Sequence, residues 1–343
     1  MNRYILSLAT LGLLAACQDS TGPRGIQRPL GDVAPEALDA DLAPADAEAS
    51  LAVRHLWAVV NQNGTLARGS RVTSVTYLGI GRYEITFDRN VSGCAYIATT
   101  KNAYSQALGV YTAGGHLSAN GVYVETKNQG GGLTDGPFNL LVSCGPLNTR
   151  FAVVGYSANL VRSTPGTSLT PLGAGRYQVR FTSSVGGCAF LATVADPASA
   201  LVFNPSGVYT GKGPDAKTVY IETKNPGGGL QDGVPFHLSI ICSGTATSRF
   251  AVVKAGGIKQ RSSTGTTSSK TSTGNYQIAN NLNISGCAAV ATRGSVNTAV
   301  PFSPATVEII PGANNKSFGV QVRQLLFFGG ALADQAFHAA VIC

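Results

Sequence analysis

Trp57-Ala-Val-Val is the stretch of sequence on which the fold depends, because it returns as Phe151-Ala-Val-Val and again as Phe250-Ala-Val-Val. At the same two spacings an arginine, a tyrosine and a cysteine also return. They are Arg68, Arg162 and Arg261; Tyr83, Tyr177 and Tyr276; and Cys94, Cys188 and Cys287. Four landmarks in constant register indicate an internal repeat.

A second set of landmarks closes each copy. Asp135, Asp232 and Asp334 are each followed by a phenylalanine and then by a cysteine. The sequence therefore predicts three tandem domains, over residues 55–146, 147–245 and 246–343. The third copy is divergent, since Asn280 stands where the first two copies have Phe87 and Phe181. We expect its core to be the least well packed.

Within each copy, hydrophobic and polar residues alternate. Tyr83, Ile85 and Phe87 alternate with polar residues, and the final strand of the first copy places Phe138, Leu140, Val142 and Cys144 on one face. Such alternation is typical of antiparallel sheets with one buried face, and Gly/Asn/Pro clusters supply the turns. The predicted fold is all-β: three tandem antiparallel β-sandwich domains, each of about six or seven short strands.

The N-terminal residues have the features of a signal peptide. Residues 1–16 contain Arg3 and then a short apolar run, too short to span a bilayer. The run ends in Leu14-Ala15-Ala16-Cys17, which closely resembles the bacterial lipobox. The resemblance implies that Cys17 is lipidated and that its acyl chains hold the protein on a membrane. The alternative is an ordinary signal peptide with a chance cysteine.

Two further expectations concern this segment. Gln18 is not Asp, which under the usual sorting of such lipoproteins implies the outer membrane of the cell envelope. Residues 17–54 are rich in Pro, Ala and Asp and contain no aromatic residue, so they are predicted to form a lipidated flexible tether. A marginal helix over residues 35–51 is the alternative.

The remaining six cysteines are interpreted as disulfides. Each copy holds one cysteine early and one at the end of its last strand. The repeat therefore favours one bond within each domain: Cys94–Cys144, Cys188–Cys242 and Cys287–Cys343. No Cys-x-x-Cys occurs, and two cysteines make an incomplete zinc site, so no metal is predicted.

The charge is unevenly distributed. Residues 1–50 carry three basic and seven acidic residues, whereas residues 51–343 carry 22 basic and 10 acidic ones. A basic body can attract an anionic surface. No basic run exceeds two residues, so we do not expect nucleic-acid binding. Dispersed surface lysines and arginines are the simpler interpretation.

The sequence contains no recognisable catalytic motif or cofactor-binding pattern. There is no Gly-x-Ser-x-Gly, no His-Glu-x-x-His and no phosphate loop. Only four histidines occur; His237 and His338 follow the phenylalanine of the last strand, where repeat one has Asn139, and they are interpreted as surface side chains. The carboxylates could in principle include a glycosidase pair, which keeps a hydrolase of cell-surface glycan as an alternative.

One polar row is a candidate binding site. Repeat one reads Tyr123-Val-Glu125-Thr-Lys127-Asn128 and reaches Asp135 through three glycines, and repeat two has a matching segment. Alternation places these side chains opposite the core, so the row and its hairpin could bind sugar or a protein partner. The alternative is a solvated face whose Asp or Asn caps the turn. The repeat-two residues are Tyr220, Glu222, Lys224, Asn225 and Asp232.

The combined pattern resembles a repeat of secreted bacterial proteins for which we know no activity. It comprises Gly-x-Tyr-x-Val-x-Phe, then Cys-Ala-x-x-Ala-Thr, then Val-x-Thr, and last Asp-x-x-Phe-His-Leu-x-x-x-Cys. In size and strand spacing the copies are loosely similar to trimeric recognition sandwiches such as the complement C1q-like and H-type lectin domains, which bears on fold only. We expect a non-enzymatic lipoprotein that serves as a binding or envelope-contact module. A purely structural envelope protein is a further alternative.

The linkers between copies are short, so neighbouring domains must touch or nearly touch. Either a row of beads or a pseudo-threefold ring would satisfy them. We expect the row, because the outer positions of the first two copies are mostly polar and the third copy differs from both.

Overall fold

The computed structural model describes residues 55–101, 107–144, 150–199, 205–242, 247–298, 304–325 and 330–343. The predicted signal peptide, Cys17 and the tether lie outside these residues. The described chain is all-β, as predicted. It contains no helix long and apolar enough to cross a membrane.

Each repeat contributes eight strands, slightly more than predicted. In repeat one they are β1 (His55–Val60), β2 (Leu66–Ser70), β3 (Val72–Gly79), β4 (Arg82–Phe87), β5 (Ala95–Lys101), β6 (Gly109–Gly114), β7 (Gly121–Lys127) and β8 (Phe138–Ser143). In repeat two they are β9 (Arg150–Val154), β10 (Leu160–Ser163), β11 (Ser168–Gly173), β12 (Arg176–Arg180), β13 (Ala189–Val194), β14 (Gly207–Lys212), β15 (Thr218–Lys224) and β16 (Phe236–Ile241). In repeat three they are β17 (Ser248–Val253), β18 (Lys259–Ser262), β19 (Thr267–Ser272), β20 (Asn275–Ala279), β21 (Ala288–Thr298), β22 (Ala305–Pro311), β23 (Ser317–Gln324) and β24 (Phe337–Ile342).

The eight strands of a repeat form an inner and an outer four-stranded sheet. In repeat one the inner sheet has the order β2-β1-β8-β5 and the outer sheet β3-β4-β7-β6, and the other repeats follow the same scheme. The first strand and the last strand of a repeat are neighbours, since β1 pairs with β8, β9 with β16 and β17 with β24. Each repeat is thus a complete antiparallel sandwich.

The residues predicted to share one strand face form the core between the two sheets. In repeat one Tyr83, Ile85 and Phe87 of the outer sheet meet Phe138 and Leu140 of the inner sheet. Repeat three keeps this plan with smaller side chains: its core is rich in alanine, and Asn280 is buried where the other repeats have phenylalanine. The weaker packing expected of the third copy stays a prediction.

The three predicted disulfides are confirmed. Cys94 is bonded to Cys144, Cys188 to Cys242 and Cys287 to Cys343, each within its own repeat. Each bond joins the start of the inner edge strand to the end of the last strand, and so closes one end of the sandwich. Three such bonds indicate an oxidising, extracytoplasmic environment.

The expected row of beads is wrong, because the three repeats close into a ring. Strand β14 of repeat two pairs in parallel with β21 of repeat three, and β22 of repeat three with β5 of repeat one. A bridge between Thr112 and Ala195 links repeat one to repeat two in the same sense. The outer sheets of repeats two and three therefore continue into the inner sheets of repeats three and one, whereas repeat one is joined to repeat two by this single bridge. All three repeats lie in one compact unit.

A separate hydrophobic core on the pseudo-threefold axis explains the ring. Trp57, Ile97, Leu191, Phe250 and Val290 are members of this axial core, which draws on all three repeats. The inner sheets are therefore buried on both faces, one against the outer sheet of the repeat and one against the axis. An apolar side on every repeat is what a closed ring requires.

Candidate functional site

A ring of threonines joins the three inner edge strands. The backbone N–H of Ala98 donates to Thr193 Oγ1 at 2.9 Å. The same contact runs from Ala192 to Thr292 and from Ala291 to Thr99, both at 2.8 Å. Because all three hydroxyls are buried, these bonds satisfy edge-strand amides that would otherwise be unpaired between repeats.

The repeated arginines reach across the same interfaces. Arg68 Nε donates to the carbonyl of Cys287 at 2.9 Å, Arg162 Nε to that of Cys94 at 2.9 Å, and Arg261 Nε to that of Cys188 at 2.8 Å. Each arginine thus holds the repeat before its own, and Arg68 closes the ring onto repeat three. The arginine register detected in the sequence has a structural cause: one guanidinium per interface.

His237 and His338 are fully buried at these interfaces, so their interpretation as surface side chains is wrong. His237 Nδ1 accepts the N–H of Tyr96 at 2.9 Å, and His338 Nδ1 accepts that of Phe190 at 2.8 Å. Burial lowers the pKa of His237 well below its ordinary value and that of His338 to about 3. At the third interface Asn139 Nδ2 donates to the carbonyl of Ala289 at 2.5 Å.

The polar row proposed as a binding site is not solvent-facing. Tyr123 and Glu125 are each 2% exposed and Lys127 is 6% exposed. The three lie along the sheet: the Tyr123 hydroxyl donates to Glu125 at 2.7 Å, and Lys127 Nζ is 3.2 Å from Glu125. Lys127 also lies over the buried ring of Tyr111. The alternative interpretation of this row as a solvated face is therefore wrong for these three residues, because all three are buried.

Repeat two has the same arrangement, and repeat three forms an ion pair from residues at different positions. Tyr220 donates to Glu222 at 2.7 Å, and Lys224 lies 3.1 Å from Glu222. In repeat three the carboxylate has moved to the adjacent strand, where Glu308 lies 3.6 Å from Arg323. An ion pair with a buried carboxylate therefore occurs in all three outer sheets.

The remaining predicted site residues stabilise turns. Asn128 Oδ1 accepts the N–H of Gly132, and Asn225 Oδ1 that of Gly229, both at 3.0 Å. Asp135 and Asp232 accept the N–H of Gly81 and Gly175, both at 2.6 Å. These glycines have φ of 67°, so an L side chain would be strained there. The turn-capping alternative describes this geometry.

Every carboxylate beyond residue 50 lies in the described chain and has an intramolecular partner. Besides the residues above, Glu84 accepts the backbone N–H groups of His116 and Leu117, and Asp196 accepts the Tyr156 hydroxyl. Asp88, Asp215 and Asp334 pair with Arg71, Arg180 and Lys270. The described residues contain no cluster of three or more potential metal ligands. These carboxylates act in structure: they cap turns or neutralise cations.

One cavity lies on the ring axis, where the three repeats meet. Its volume is about 120 Å³, and residues of all three repeats line it, among them Thr99, Tyr111, Thr193, Tyr209, Thr292 and Arg293. The wall also includes Asn128 and Pro226 from the Gly-rich hairpins. Part of the predicted candidate site, the hairpin of repeat one, therefore does reach a cavity.

Arg293 was not singled out in the sequence. It occupies the position of Thr100 in repeat one and Val194 in repeat two, each six residues after the first cysteine. Comparing the copies position by position would have shown a charge that appears once in an otherwise neutral position. Its burial could not have been deduced without the ring.

No protein-family model, curated protein or solved structure matches this chain.

Proposed function

We propose that this protein is a membrane-anchored extracytoplasmic lipoprotein that acts as a non-enzymatic binding or envelope-contact module. The observation that carries the proposal is the axial cavity: three sandwiches close around it, and all three contribute to its wall. Concave sites with a mostly apolar wall and a few polar groups are typical of small-molecule binding. The cavity is a shared product of the ring, since no single repeat could form it.

We propose that the protein is not a hydrolase, because its carboxylates already have partners. All ten carboxylates of residues 51–343 are engaged in turns or ion pairs. A glycosidase needs one carboxyl group as acid and a second as base or nucleophile. The disulfides support the extracytoplasmic part of the proposal, and the lipobox-like Leu14-Ala15-Ala16-Cys17 supports the anchor.

The anchor is tested by the Cys17→Ser variant in a bacterial host. We expect the parent protein to incorporate labelled palmitate and to partition into detergent, and the variant to lose both properties. A parent that stays unlabelled, with its mature N-terminus elsewhere, would refute the anchor.

The binding role is tested with the purified Cys17→Ser chain on a glycan array and against a panel of small envelope metabolites. We expect saturable binding with the ligand recovered unchanged. Recovery of a cleaved product would favour the hydrolase instead. Failure to bind any component would favour a purely structural protein.

A further inference from the structure

Arg293 is a buried cation without a counter-ion. Its side chain is 3% exposed, and neither Nε nor Nη1 has a hydrogen-bond partner. Burial lowers the pKa of Arg293 to about 10, so the guanidinium remains charged at neutral pH. A buried charge that no opposite charge compensates destabilises the folded protein.

No carboxylate of the described chain forms an ion pair with Arg293. The carboxylates of Glu125, Glu222 and Glu308 pair with Lys127, Lys224 and Arg323. The nearest aromatic contact of Arg293 is the ring of Tyr209, 5.9 Å from Cζ to the centroid. That contact offsets part of the charge but accepts no hydrogen bond from the guanidinium plane.

The residue lines the axial cavity of about 120 Å³. By the same measure one water molecule needs roughly 10–15 Å³. The cavity therefore has room for a molecule of several heavy atoms. Alanine, valine and leucine side chains form much of the wall, with hydroxyl groups between them: Ala98, Leu108, Val194, Val208, Thr100 and Thr306. The cavity therefore offers one cation and an apolar surface.

We infer that the axial cavity binds a small aliphatic carboxylate, whose carboxylate group pairs with the Arg293 guanidinium while its alkyl chain lies against the apolar wall. This inference deepens the proposed function and rests on it. The planar guanidinium fork matches a carboxylate through two parallel hydrogen bonds. A phosphate dianion would leave one charge uncompensated, because Lys127 and Lys224 are already paired with glutamates.

The other two repeats show which side chains this position accommodates elsewhere in the fold. Arg293→Val introduces the side chain that repeat two has at this position, and Arg293→Thr introduces that of repeat one. We expect both to fold, and we expect Arg293→Val to raise the melting temperature in the absence of ligand because it removes an uncompensated charge. A lower melting temperature would show that Arg293 has a structural partner and would overturn the inference.

Binding is measured by calorimetry on the purified Cys17→Ser chain with sodium butyrate, sodium phosphate and n-butanol at pH 7. We expect saturable butyrate binding that weakens at least tenfold in Arg293→Val, with little binding of phosphate or butanol. Arg180→Gln, which removes an exposed charge away from the cavity wall, is the matched control and should bind butyrate like the parent.

Three results would overturn the assignment. Phosphate binding that equals butyrate binding and depends on Arg293 would indicate an oxyanion site. Butyrate binding that Arg293→Val leaves unchanged would place the ligand elsewhere. If butyrate does not bind but the glycan array or the metabolite panel detects a ligand, only this inference is refuted. If neither experiment detects binding, the proposed function is refuted as well.

Discussion

The Nε atom of Arg162 lies 2.9 Å from the backbone oxygen of Cys94, which belongs to the preceding repeat. Arg162 also donates to the carbonyl of Pro197 in its own repeat, and its guanidinium lies over the ring of Tyr96. One side chain therefore connects two domains at the point where a disulfide begins. The same geometry at Arg261 and Arg68 makes the ring a set of equivalent interfaces rather than three independent contacts.

We expect Arg162→Met to lower the free energy of unfolding by about 3 kcal/mol, since hydrogen bonds to charged groups are each worth about 1.5–3 kcal/mol and the Cys94 carbonyl loses its partner. Urea unfolding measures the change. Arg180→Met is the control: Arg180 forms an exposed ion pair with Asp215, and such pairs contribute about 0–1 kcal/mol. Equal effects of the two variants would contradict the interface role.

Removing one hydroxyl group from the threonine ring should lower the stability of the protein even when the side-chain volume is kept. Thr193→Val keeps the shape but removes the acceptor for the Ala98 amide, so stability should fall by about 1–3 kcal/mol. The control is Thr170→Val on an exposed strand position, where little change is expected. The two urea midpoints are compared; a Thr193→Val protein as stable as the parent would mean that water replaces the hydroxyl.

The buried histidines predict a pH dependence. Folding depresses the pKa of His237 and His338, so both are neutral in the folded protein and protonate in the unfolded chain below about pH 6.5. Their contribution to stability is therefore complete above pH 6.5 and falls as the pH drops toward the folded pKa. Each contributes up to about 1.4 kcal/mol of loss per pH unit.

The measurement is urea unfolding between pH 6.5 and 4.5, above the range in which most carboxylates titrate. A His237→Asn/His338→Asn variant, which places the residue of repeat one at all three interfaces, should show a much flatter slope. His116→Asn controls for loss of an exposed histidine. An unchanged slope in the double variant would show that these imidazoles do not titrate with unfolding.

A substitution in the axial core should destabilise all three repeats and not only its own. Phe250 is buried among side chains of all three repeats, and Phe250→Ala should cost about 3–5 kcal/mol. Hydrogen exchange should accelerate at Val59 and Leu191 in the other two repeats. Phe318→Ala, in the core of repeat three alone, is the comparison and should act first on repeat three. Exchange that changes only in repeat three with Phe250→Ala would favour independent domains.

Residues that alternate along one chain were interpreted correctly from sequence. Phe138, Leu140 and Val142 lie together in the core of repeat one, and the cysteine register yielded all three disulfides. The inner strands were misjudged, although a signal was present. Trp57-Ala-Val-Val continues an unbroken apolar run, which is typical of a strand buried on both faces. Recognising that second face would have favoured the ring over the row.

For the fold and the candidate site alike, the sequence determined one part and the tertiary structure the other. Sequence alone determined the three copies, their sandwich pattern and the bonds within each, because period-two alternation and cysteine register are properties of one segment or of its own repeat. Only the tertiary structure decided which surfaces meet. It buried His237, covered the Tyr123–Lys127 row and brought Arg293 to the axial cavity. Those environments arise from contacts between residues distant in the chain, where burial and the loss of solvent, rather than local pattern, set the chemistry of a side chain.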